Sequence, residues 1–341
     1  MNQYGKLCVG ICGTGQVAVQ HVEAFQANPN TVVAGVCGHS AEHTESFIKS
    51  YVPEAKVFSN YEDMLADDKI DIISVCVPNF LHASHAVLAL QAKKHLVLEK
   101  PAGITRDQLD DLAKAARNAK TKTVVSFLLR WMPLCENLKL LVDKGAFGKV
   151  FSCNTDYWHG IQPSFSSYNW IRKKEFAGGA MITGGCHAAD IARYLNGEVS
   201  EVSAYSVNAR DDFDYPTTLM SVAKFENGSI GRISASLDGL CFPYQFNIDL
   251  LGTKGAVRGN RIYSKELFPN QNDWVTLPMD CPDSGAVSHH PFKQEINEFV
   301  DSILHDTPVR SSLGDAVKSM EITLAITESA LTGKPEKILE H

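Results

Sequence analysis

The stretch "VGICGTGQVAVQH", residues 9–21, ends an apolar run and opens a helical pattern. Gly13, Gly15 and Ala18 match the G-x-G-x-x-G/A spacing of a dinucleotide-binding turn. The first glycine permits a tight turn, the second lets the backbone approach a pyrophosphate, and the alanine permits close packing of helix on sheet. We expect the anion to lie on the N–H groups at the helix N-terminus, with cofactor contacts from Gly13, Thr14, Gly15, Gln16 and Val17.

Around this turn, short apolar runs alternate with helical patterns. Predicted strands are KLCVGIC, TVVAGVCG, IDIISVCVP, HLVLEK and KTVVSF, and predicted helices are 16–27, SAEHTESFIKSY, 81–91 and 105–119. The run IDIISVCVP is almost continuously apolar, as expected of a strand that is covered on both faces. This rhythm predicts an α/β protein whose residues 1–128 form a doubly wound parallel sheet of the Rossmann type.

The pattern changes after residue 128. A helix near 136–144 precedes the predicted strands GKVFSCNTDYW, EVSAYSVNA, TLMSVAKFE, GSIGRISASL and QFNIDLLGT, which short turns connect. Consecutive strands with short turns predict a large, mostly antiparallel open sheet, so residues 129–341 are expected to form an α+β domain. Residues 291–333 read as two amphipathic helices, which could pack back on the Rossmann domain.

The composition is that of an ordinary globular protein, with 44% hydrophobic and 21% charged residues in a chain of 341. The formal net charge of -7 argues against sequence-independent binding of nucleic acid, which needs a basic surface. Nine cysteines lie scattered without a Cys-x-x-Cys pair, so we expect reduced thiols and no metal site. Without a recognisable signal peptide or a membrane-length apolar run, the chain is expected to be cytoplasmic.

The end of the second strand bears on the choice of cofactor. An acidic side chain that binds the ribose 2′-hydroxyl of NAD is expected there. This sequence has Gly38, His39 and Ser40 instead, without a carboxylate to hold the hydroxyl or to repel a 2′-phosphate. No arginine occupies the position either, and Gly38 could simply turn the chain while NAD binds through other contacts. We expect NADP or NAD, with NADP slightly favoured.

Two further strand ends face the same predicted crevice. The run HLVLEKP ends on Glu99-Lys100-Pro101, and VPNFLH follows the preceding strand. Ligands of doubly wound sheets bind outside the carboxyl ends of the strands, so Lys100 is expected where a nicotinamide would lie. Asn79 could instead cap the helix that follows. The predicted cofactor contacts at these strand ends are Pro78, Asn79, His82, Glu99 and Lys100.

The stretch AGGAMITGGCHAADIARYLNG, residues 177–197, places four glycines before His187, Asp190 and a predicted helix that ends at Asn196-Gly197. Glycines before a helix predict that another group approaches the backbone closely there. Two alternatives are structural. His187 could cap or pack at the helix start, and Asp190 could be a first-turn acid that the helix dipole favours.

Four segments, in this order and at this spacing, resemble the Gfo/Idh/MocA oxidoreductases, the family of glucose–fructose oxidoreductase and inositol dehydrogenase. They are GICGTGQVA, VPNFLHASHAVLAL, HLVLEKPAG and GGAMITGGCHAADIARYLNG. The resemblance covers essentially the whole chain. It implies a Rossmann domain and a second domain whose open sheet carries the substrate pocket and often the interface of a homo-oligomer, a dimer or tetramer. Members typically oxidise or reduce sugars, cyclitols or related polyols.

The resemblance also assigns roles. It gives Lys100 the positioning of substrate and nicotinamide, and His187 the transfer of the hydroxyl proton. Imidazole takes and returns protons near neutral pH, and an ammonium stabilises alkoxide charge, so the chemistry agrees. Many family dehydrogenases carry an aspartate four residues before the histidine, where this chain has Thr183. Threonine cannot act as a base, so we expect a Lys100–His187 pair with Asp190 as a catalytic helper.

Aromatic and polar residues of the second domain are expected to complete the pocket. Aromatic faces and charged donors suit carbohydrate recognition, although each of these residues could equally pack in the sheet. The predicted substrate-binding residues are Lys100, Arg130, Tyr157, Trp158, Trp170, Arg172, Thr183 and His187.

The sequence therefore predicts an NAD(P)-dependent dehydrogenase or reductase that acts on a sugar, cyclitol or related polyol. One alternative is an enzyme that cleaves glycosides by transient oxidation with a tightly bound cofactor. Another is a non-catalytic regulator that senses dinucleotides, which Thr183 favours weakly and the presence of both Lys100 and His187 disfavours.

Overall fold

The structure is a computed structural model that describes residues 5–238, 244–281 and 290–341. The chain divides into two units. The first comprises Met1–Leu128, His290–Val317 and His341, and the second comprises Leu129–His289 and Lys318–Glu340. The first unit therefore contains a segment from late in the chain in addition to the Rossmann region.

Six parallel strands form the sheet of the first unit, in the order β3-β2-β1-β4-β5-β6. Since the order reverses between β1 and β4, their carboxyl ends border the crevice where such sheets bind ligands. The strands are β1 Leu7–Cys12, β2 Thr31–Cys37, β3 Lys56–Phe58, β4 Ile72–Val75, β5 His95–Leu98 and β6 Thr123–Val125. The helices are α1 Gln16–Ala27, α2 Ala41–Tyr51, α3 Tyr61–Ala66, α4 Asn79–Gln91 and α5 Arg106–Asn118.

These elements form for local reasons that the sequence displays. Strands β1 and β4 are buried along their whole length, which accounts for their continuous apolar runs. Helix α5 begins after Thr105, whose side chain accepts a hydrogen bond from the backbone N–H of Gln108. The predicted doubly wound sheet is confirmed, and α1 has the predicted bounds. The prediction omitted β3 and α3, which are too short to show a period.

Among its described residues, the second unit contains nine strands, five α-helices that lie wholly within it and most of a sixth. The helices are α6 Pro133–Asp143, α7 Tyr168–Ile171, α8 Lys174–Ala177, α9 Ala180–Thr183 and α10 Cys186–Asn196. The strands are β7 Val150–Trp158, β8 Val199–Val207, β9 Thr218–Phe225, β10 Ile230–Ser236, β11 Gln245–Gly252, β12 Gly255–Arg258, β13 Arg261–Ser264, β14 Val275–Thr276 and β15 Glu336–Lys337. A short 3-10 helix, Leu128–Trp131, precedes α6.

The nine strands form one sheet in the order β14-β13-β12-β11-β7-β10-β9-β8-β15. Only β7 and β10 among these neighbours run parallel, so the predicted mostly antiparallel sheet is confirmed. One face packs on α10, where Thr155 of β7 donates a hydrogen bond to the carbonyl of Ala188. Tyr205, Met220 and Val222 project from the opposite face and are exposed.

The tail forms the two predicted helices, α11 Phe292–Leu304 and α12 Leu313–Thr332. Helix α11 packs against α1, and the ring of its Phe292 lies 5.1 Å from the ring of His21. Helix α12 continues from the first unit into the second at Lys318. Within the described ranges, no helix combines the length and the apolar character that a membrane crossing requires.

Candidate functional site

The glycine loop of the first unit has the shape that a phosphate group needs. Gly13 has φ +113°, and a Cβ there would overlap the carbonyl oxygen of Cys76, so only glycine fits. Gly15 precedes the first turn of α1, and no described atom lies within 4 Å of the place that its Cβ would take. The first turn, from Gln16 onward, carries no acidic residue. The loop thus leaves open space in front of helix N–H groups that favour an anion.

At the end of β2 the predicted cofactor contacts have structural partners as well. A Cβ on Gly38 would lie 2.6 Å from the Thr44 hydroxyl and 2.8 Å from the Thr14 methyl, so close packing requires glycine there. Ser40 caps α2 by accepting a hydrogen bond from the His43 backbone N–H. The exposed rings of His39 and His43 lie 4.5 Å apart. The strand end therefore presents two imidazoles.

The residues after β4 frame the same edge of the sheet. Pro78 precedes α4, and Asn79 is the buried first residue of that helix. The ring nitrogens of His82 lie 2.7 Å from the Val77 carbonyl oxygen and 2.6 Å from that of Pro101. Burial lowers the pKa of His82, whereas the two carbonyl neighbours raise it, so only one nitrogen of the neutral ring donates a hydrogen bond. His82 links the loops after β4 and β5, so it supports the rim instead of presenting a free ring to a cofactor.

Hydrogen bonds of a buried side chain hold the Glu-Lys-Pro turn after β5 in place. Glu99 is only 7% exposed, and its Oε1 lies 3.1 Å from Nε2 of His21. Its Oε2 accepts a hydrogen bond from the backbone N–H of Lys100 at 3.1 Å, and the Lys100–Pro101 peptide is cis. Burial opposes ionisation of Glu99, but His21 and Lys100 outweigh it, so the pKa of this carboxyl is lowered. Glu99 turns inward and holds the backbone of Lys100, and its contact with a cofactor stays a prediction.

Sequence reasoning missed His21, which completes this anchor. Its Nδ1 lies 2.9 Å from the hydroxyl of Ser74 on β4, and its ring is fully buried. The available signal was its spacing, three residues after Ala18, which places it on the sheet-facing side of α1.

In the second unit, His187 is the second residue of α10 and is 5% exposed. The ring of Tyr157 is stacked on it, with centroids 5.6 Å apart and planes inclined by 28°. The Tyr157 hydroxyl lies 3.0 Å from Nδ1 of His159, and Tyr244 meets both rings edge-on. Burial raises the pKa of Tyr157 well above its ordinary value, so the phenol stays protonated. His187 thus borders a cluster of three rings, those of Tyr157, His159 and Tyr244, which we call the aromatic wall.

The glycines before His187 have a different explanation from the predicted one. A Cβ on Gly184 would lie 2.6 Å from Cε1 of Tyr157, and one on Gly185 would lie 2.7 Å from the Ala235 Cβ. Both glycines are required because protein side chains already occupy that space. Gly178 and Gly179 have φ of +84° and +129°, a region that glycine favours. The predicted close approach of a ligand is not what these contacts reflect.

Asp190 and Arg130 form a buried ion pair, which the sequence did not predict. The Arg130 guanidinium donates two hydrogen bonds to the Asp190 carboxylate, at 2.8 and 2.5 Å. The hydroxyl of Ser319 donates a third at 2.7 Å. Both charged side chains are almost fully buried. Asp190, expected as a catalytic helper, and Arg130, expected to bind substrate, therefore form an internal ion pair that joins α10 to the chain before α6.

The remaining predicted substrate residues lie in several environments. Thr183 is buried at the end of α9, within the glycine-rich stretch. Trp158 follows Tyr157 on β7, so the alternation of the strand directs it to the opposite face of the sheet from His187. Trp170 packs against the core of the unit, and the Arg172 guanidinium lies 5.6 Å from the ring centre of Tyr168. The structure thus brings Tyr157 to His187 and directs Trp158 away.

Within residues 5–238, 244–281 and 290–341, no three His, Cys, Asp or Glu side chains are grouped so as to hold a metal ion.

The sheet order of the first unit and the open glycine loop are those of a dinucleotide-binding Rossmann domain, and the family match defines the class of protein as an oxidoreductase. The chain belongs to the Gfo/Idh/MocA family. The family model described as "Oxidoreductase family, NAD-binding Rossmann fold" matches residues 7–127, and the model of the GFO/IDH/MocA C-terminal domain matches residues 135–258.

Individual proteins agree with this assignment. D-xylose 1-dehydrogenase (NADP(+)) 2 of Haloferax volcanii is 25% identical over 95% of this chain and 97% of its own. D-glucoside 3-dehydrogenase of Escherichia coli is 28% identical over 59% of this chain and 57% of its own. A structure of levoglucosan dehydrogenase in complex with NADH has the same fold, with a TM-score of 0.89 and 22% identity over 98% of this chain and 100% of its own.

Proposed function

We propose that this oxidoreductase interconverts a hydroxyl and a carbonyl group on a sugar, cyclitol or related polyol. The observation that carries the proposal is the Tyr157–His187 stack, which holds an imidazole at an aromatic wall. Aromatic faces suit the C–H faces of carbohydrates, and imidazole suits exchange of a hydroxyl proton. The names of two relatives, a D-xylose dehydrogenase and a D-glucoside dehydrogenase, support the same substrate class.

The proposed chemistry divides between two side chains of this chain. A bound nicotinamide supplies the acceptor or donor of the hydride. His187 takes the hydroxyl proton when an alcohol is oxidised and returns it when a carbonyl is reduced. Lys100, held by its backbone to Glu99, carries the positive charge that stabilises a developing alkoxide.

For the cofactor we propose NADP ahead of NAD. The end of β2 offers His39, Ser40 and His43 where an NAD-specific fold offers a carboxylate. The relative from Haloferax volcanii is named for NADP(+), whereas the levoglucosan dehydrogenase structure contains NADH. Fluorescence titration with NADPH and NADH tests the choice. The variant His39→Asp is expected to weaken NADPH binding at least about tenfold while NADH binding changes less. Equal losses for both dinucleotides would contradict the assignment.

The test of the activity is a panel of sugars, cyclitols and polyols, assayed with NAD and with NADP by absorbance of the reduced nicotinamide. Lys100→Ala is expected to lower kcat by about a hundredfold or more while dinucleotide binding stays within a few-fold. Undiminished turnover in this variant would refute the role of Lys100. Consumption of a glycoside without a net change in absorbance would identify the glycoside-cleaving alternative. Dinucleotide binding without any turnover would identify a regulator.

We further propose that the exposed sheet face of the second unit joins copies of this chain into a homo-oligomer. Tyr205 is 82% exposed there, and Val207, Met220, Val222 and Ile230 are also exposed, which is unusual for neighbouring apolar side chains. Sedimentation velocity is expected to show a dimer or tetramer. Val222→Lys, which places a charge in this face, is expected to shift the protein toward monomer, whereas Leu88→Lys on the exposed side of α4 serves as control.

A further inference from the structure

Three ionisable side chains are buried together beneath the Glu-Lys-Pro turn of the first unit. His21 and Glu295 are fully buried, and Glu99 is nearly so. Glu99 bridges the group to the functional turn, because one oxygen meets His21 at 3.1 Å and the other accepts the Lys100 N–H at 3.1 Å. Glu295, on α11, accepts a hydrogen bond from the Ser126 hydroxyl through Oε2 at 3.1 Å. We call His21, Glu99 and Glu295 the buried triad.

The protonation states of the buried triad follow from its surroundings. Burial opposes the charged form of His21, but Cys76 and Glu99 outweigh it and raise its pKa well above the usual value. Burial, reinforced by Glu99, raises the pKa of Glu295 to about 8. These shifts favour an imidazolium on His21, a carboxylate on Glu99 and a neutral carboxyl on Glu295 at neutral pH. The other ionisable groups facing it are Cys76, His82, Lys100 and Glu298.

Stability alone does not account for such a group. Replacing a buried ion pair by apolar residues of similar volume is often neutral or stabilising. The triad contacts the one turn whose lysine has a proposed function, and its contact is with the backbone of that lysine. A charged acceptor at a backbone N–H is a strong and directional hydrogen bond.

We propose that His21 is a positioning residue for Lys100 that acts through Glu99. His21 fixes the Glu99 carboxylate, which in turn fixes the backbone from which the Lys100 side chain extends. This inference rests on the proposed function, since Lys100 acts there on substrate.

The first test replaces His21 by Gln in the full chain, with His85→Gln as the matched control. His85 belongs to the same unit and stacks on Tyr61 instead. Without the imidazolium, Glu99 lies beside Glu295 in a buried site, so the pKa of Glu99 rises. We expect kcat at pH 7 to fall about tenfold or more, and the acidic limb of the kcat–pH profile to move to higher pH. NADPH binding stays within about threefold, because the glycine loop is intact. An unchanged pH profile with wild-type kcat would overturn the proposal.

A second variant and a spectroscopic readout keep the test independent of folding and of turnover. Ser74→Ala removes only the hydroxyl at Nδ1 of His21 and is expected to shift the profile in the same direction by a smaller amount. The His21 signal in ¹⁵N-histidine NMR spectra is assigned by its loss in His21→Gln or by its shift in Ser74→Ala. In the wild type this signal should remain that of an imidazolium at pH 8. A neutral ring at pH 7 would refute the triad even if no sugar were turned over, whereas an imidazolium without turnover would refute only the proposed function.

Discussion

Both units bury an ionic group next to a candidate functional side chain, but the two groups differ in completeness. In the second unit, Arg130 and Asp190 share two hydrogen bonds, and Ser319 adds a third. In the first unit, the imidazole of His21 contacts one carboxylate, that of Glu99, and burial raises the pKa of the nearby Glu295 carboxyl to about 8. The first arrangement is a matched ion pair that fixes α10, and the second is a titratable group close to Lys100.

The difference separates an ion pair that holds the backbone in place from a buried group whose raised pKa makes its charge depend on pH. A carboxylate with a bidentate guanidinium partner has its oxygens satisfied by hydrogen bonds. A buried carboxyl beside another carboxyl keeps its proton near neutral pH, and its state then depends on the solution. The residue that the motif suggested, Asp190, belongs to the first kind, and Glu295, which the motif did not suggest, belongs to the second.

The largest expected effect is the loss of one partner of the matched pair. Asp190→Asn leaves the Arg130 guanidinium buried without its counter-charge, which costs about 3–5 kcal/mol. Urea denaturation measures the free energy of unfolding. Asp143→Asn, in an exposed pair with Lys139, is the control and should cost less than about 1 kcal/mol. The double variant Arg130→Met/Asp190→Leu should cost less than Asp190→Asn alone. Equal small losses in all three proteins would show that the pair is not a matched support.

The next effect concerns the titratable group. Folded Glu295 keeps its proton up to about pH 8, whereas its ordinary pKa is 4.5. Between these values folding takes up a proton, so this side chain lowers the free energy of unfolding by about 1.4 kcal/mol per pH unit as the pH rises, and no further above pH 8. Glu295→Gln abolishes this contribution. The stability difference, variant minus wild type, should therefore increase from pH 5 to pH 8.

The control for that experiment lies one turn further along the same helix. Glu298 pairs with Arg310 at 2.6 Å and is partly exposed, so Glu298→Gln should show a much smaller trend, limited to the weak influence of its charge on Glu295. Parallel pH curves for wild type and Glu295→Gln would mean that Glu295 is ionised in the folded chain. Both units would then bury only ionised groups, and the difference drawn between the Arg130–Asp190 pair and the Glu295 carboxyl would be wrong.

The elements that the sequence predicted well are those with a clear period. The twelve residues of α1 repeat apolar positions at helical spacing, and β1 and β4 are continuous apolar runs between turn signals. Segments such as β3, with three residues, or β14, with two, are shorter than any period and owe their existence to a neighbouring strand. Local pattern therefore predicted the sheets, and tertiary pairing added their edges.

In the candidate site as well, some features could be predicted from the sequence and others could not. The glycine loop and the Lys100 turn were visible because their chemistry lies in consecutive residues. The partners were not, since Arg130 and Asp190 are 60 positions apart, and His21 and Glu99 are 78 apart. Periodicity tells which face of a helix is buried but not which side chain it meets. For that reason the sequence predicted neither the Arg130–Asp190 ion pair nor the contact of His21 with Glu99.

A smaller effect distinguishes the glycines of the two units. Gly184→Ala places a Cβ 2.6 Å from the Tyr157 ring, and the overpacking should cost about 1–3 kcal/mol. Gly15→Ala meets open space at φ -79°, so its stability should change by less than about 0.5 kcal/mol. Its NADPH binding should nevertheless weaken, because the methyl group would occupy the space left for phosphate. Thermal unfolding and fluorescence titration measure the two quantities. A stable Gly184→Ala with an unshifted Tyr157 would refute the packing explanation.

The last effect tests how the aromatic wall holds His187. Tyr157→Phe loses the hydrogen bond to His159 but keeps the stacked ring, so we expect a stability loss of about 1 kcal/mol. Tyr157→Leu loses the stack as well and should cost about 2 kcal/mol more. If stacking orients the imidazole, kcat falls in the Leu variant far more than in the Phe variant, whereas dinucleotide binding is equal in both. Equal kcat values in the two variants would instead assign the orientation of His187 to α10 alone, and the second unit would then support its functional side chain by backbone position.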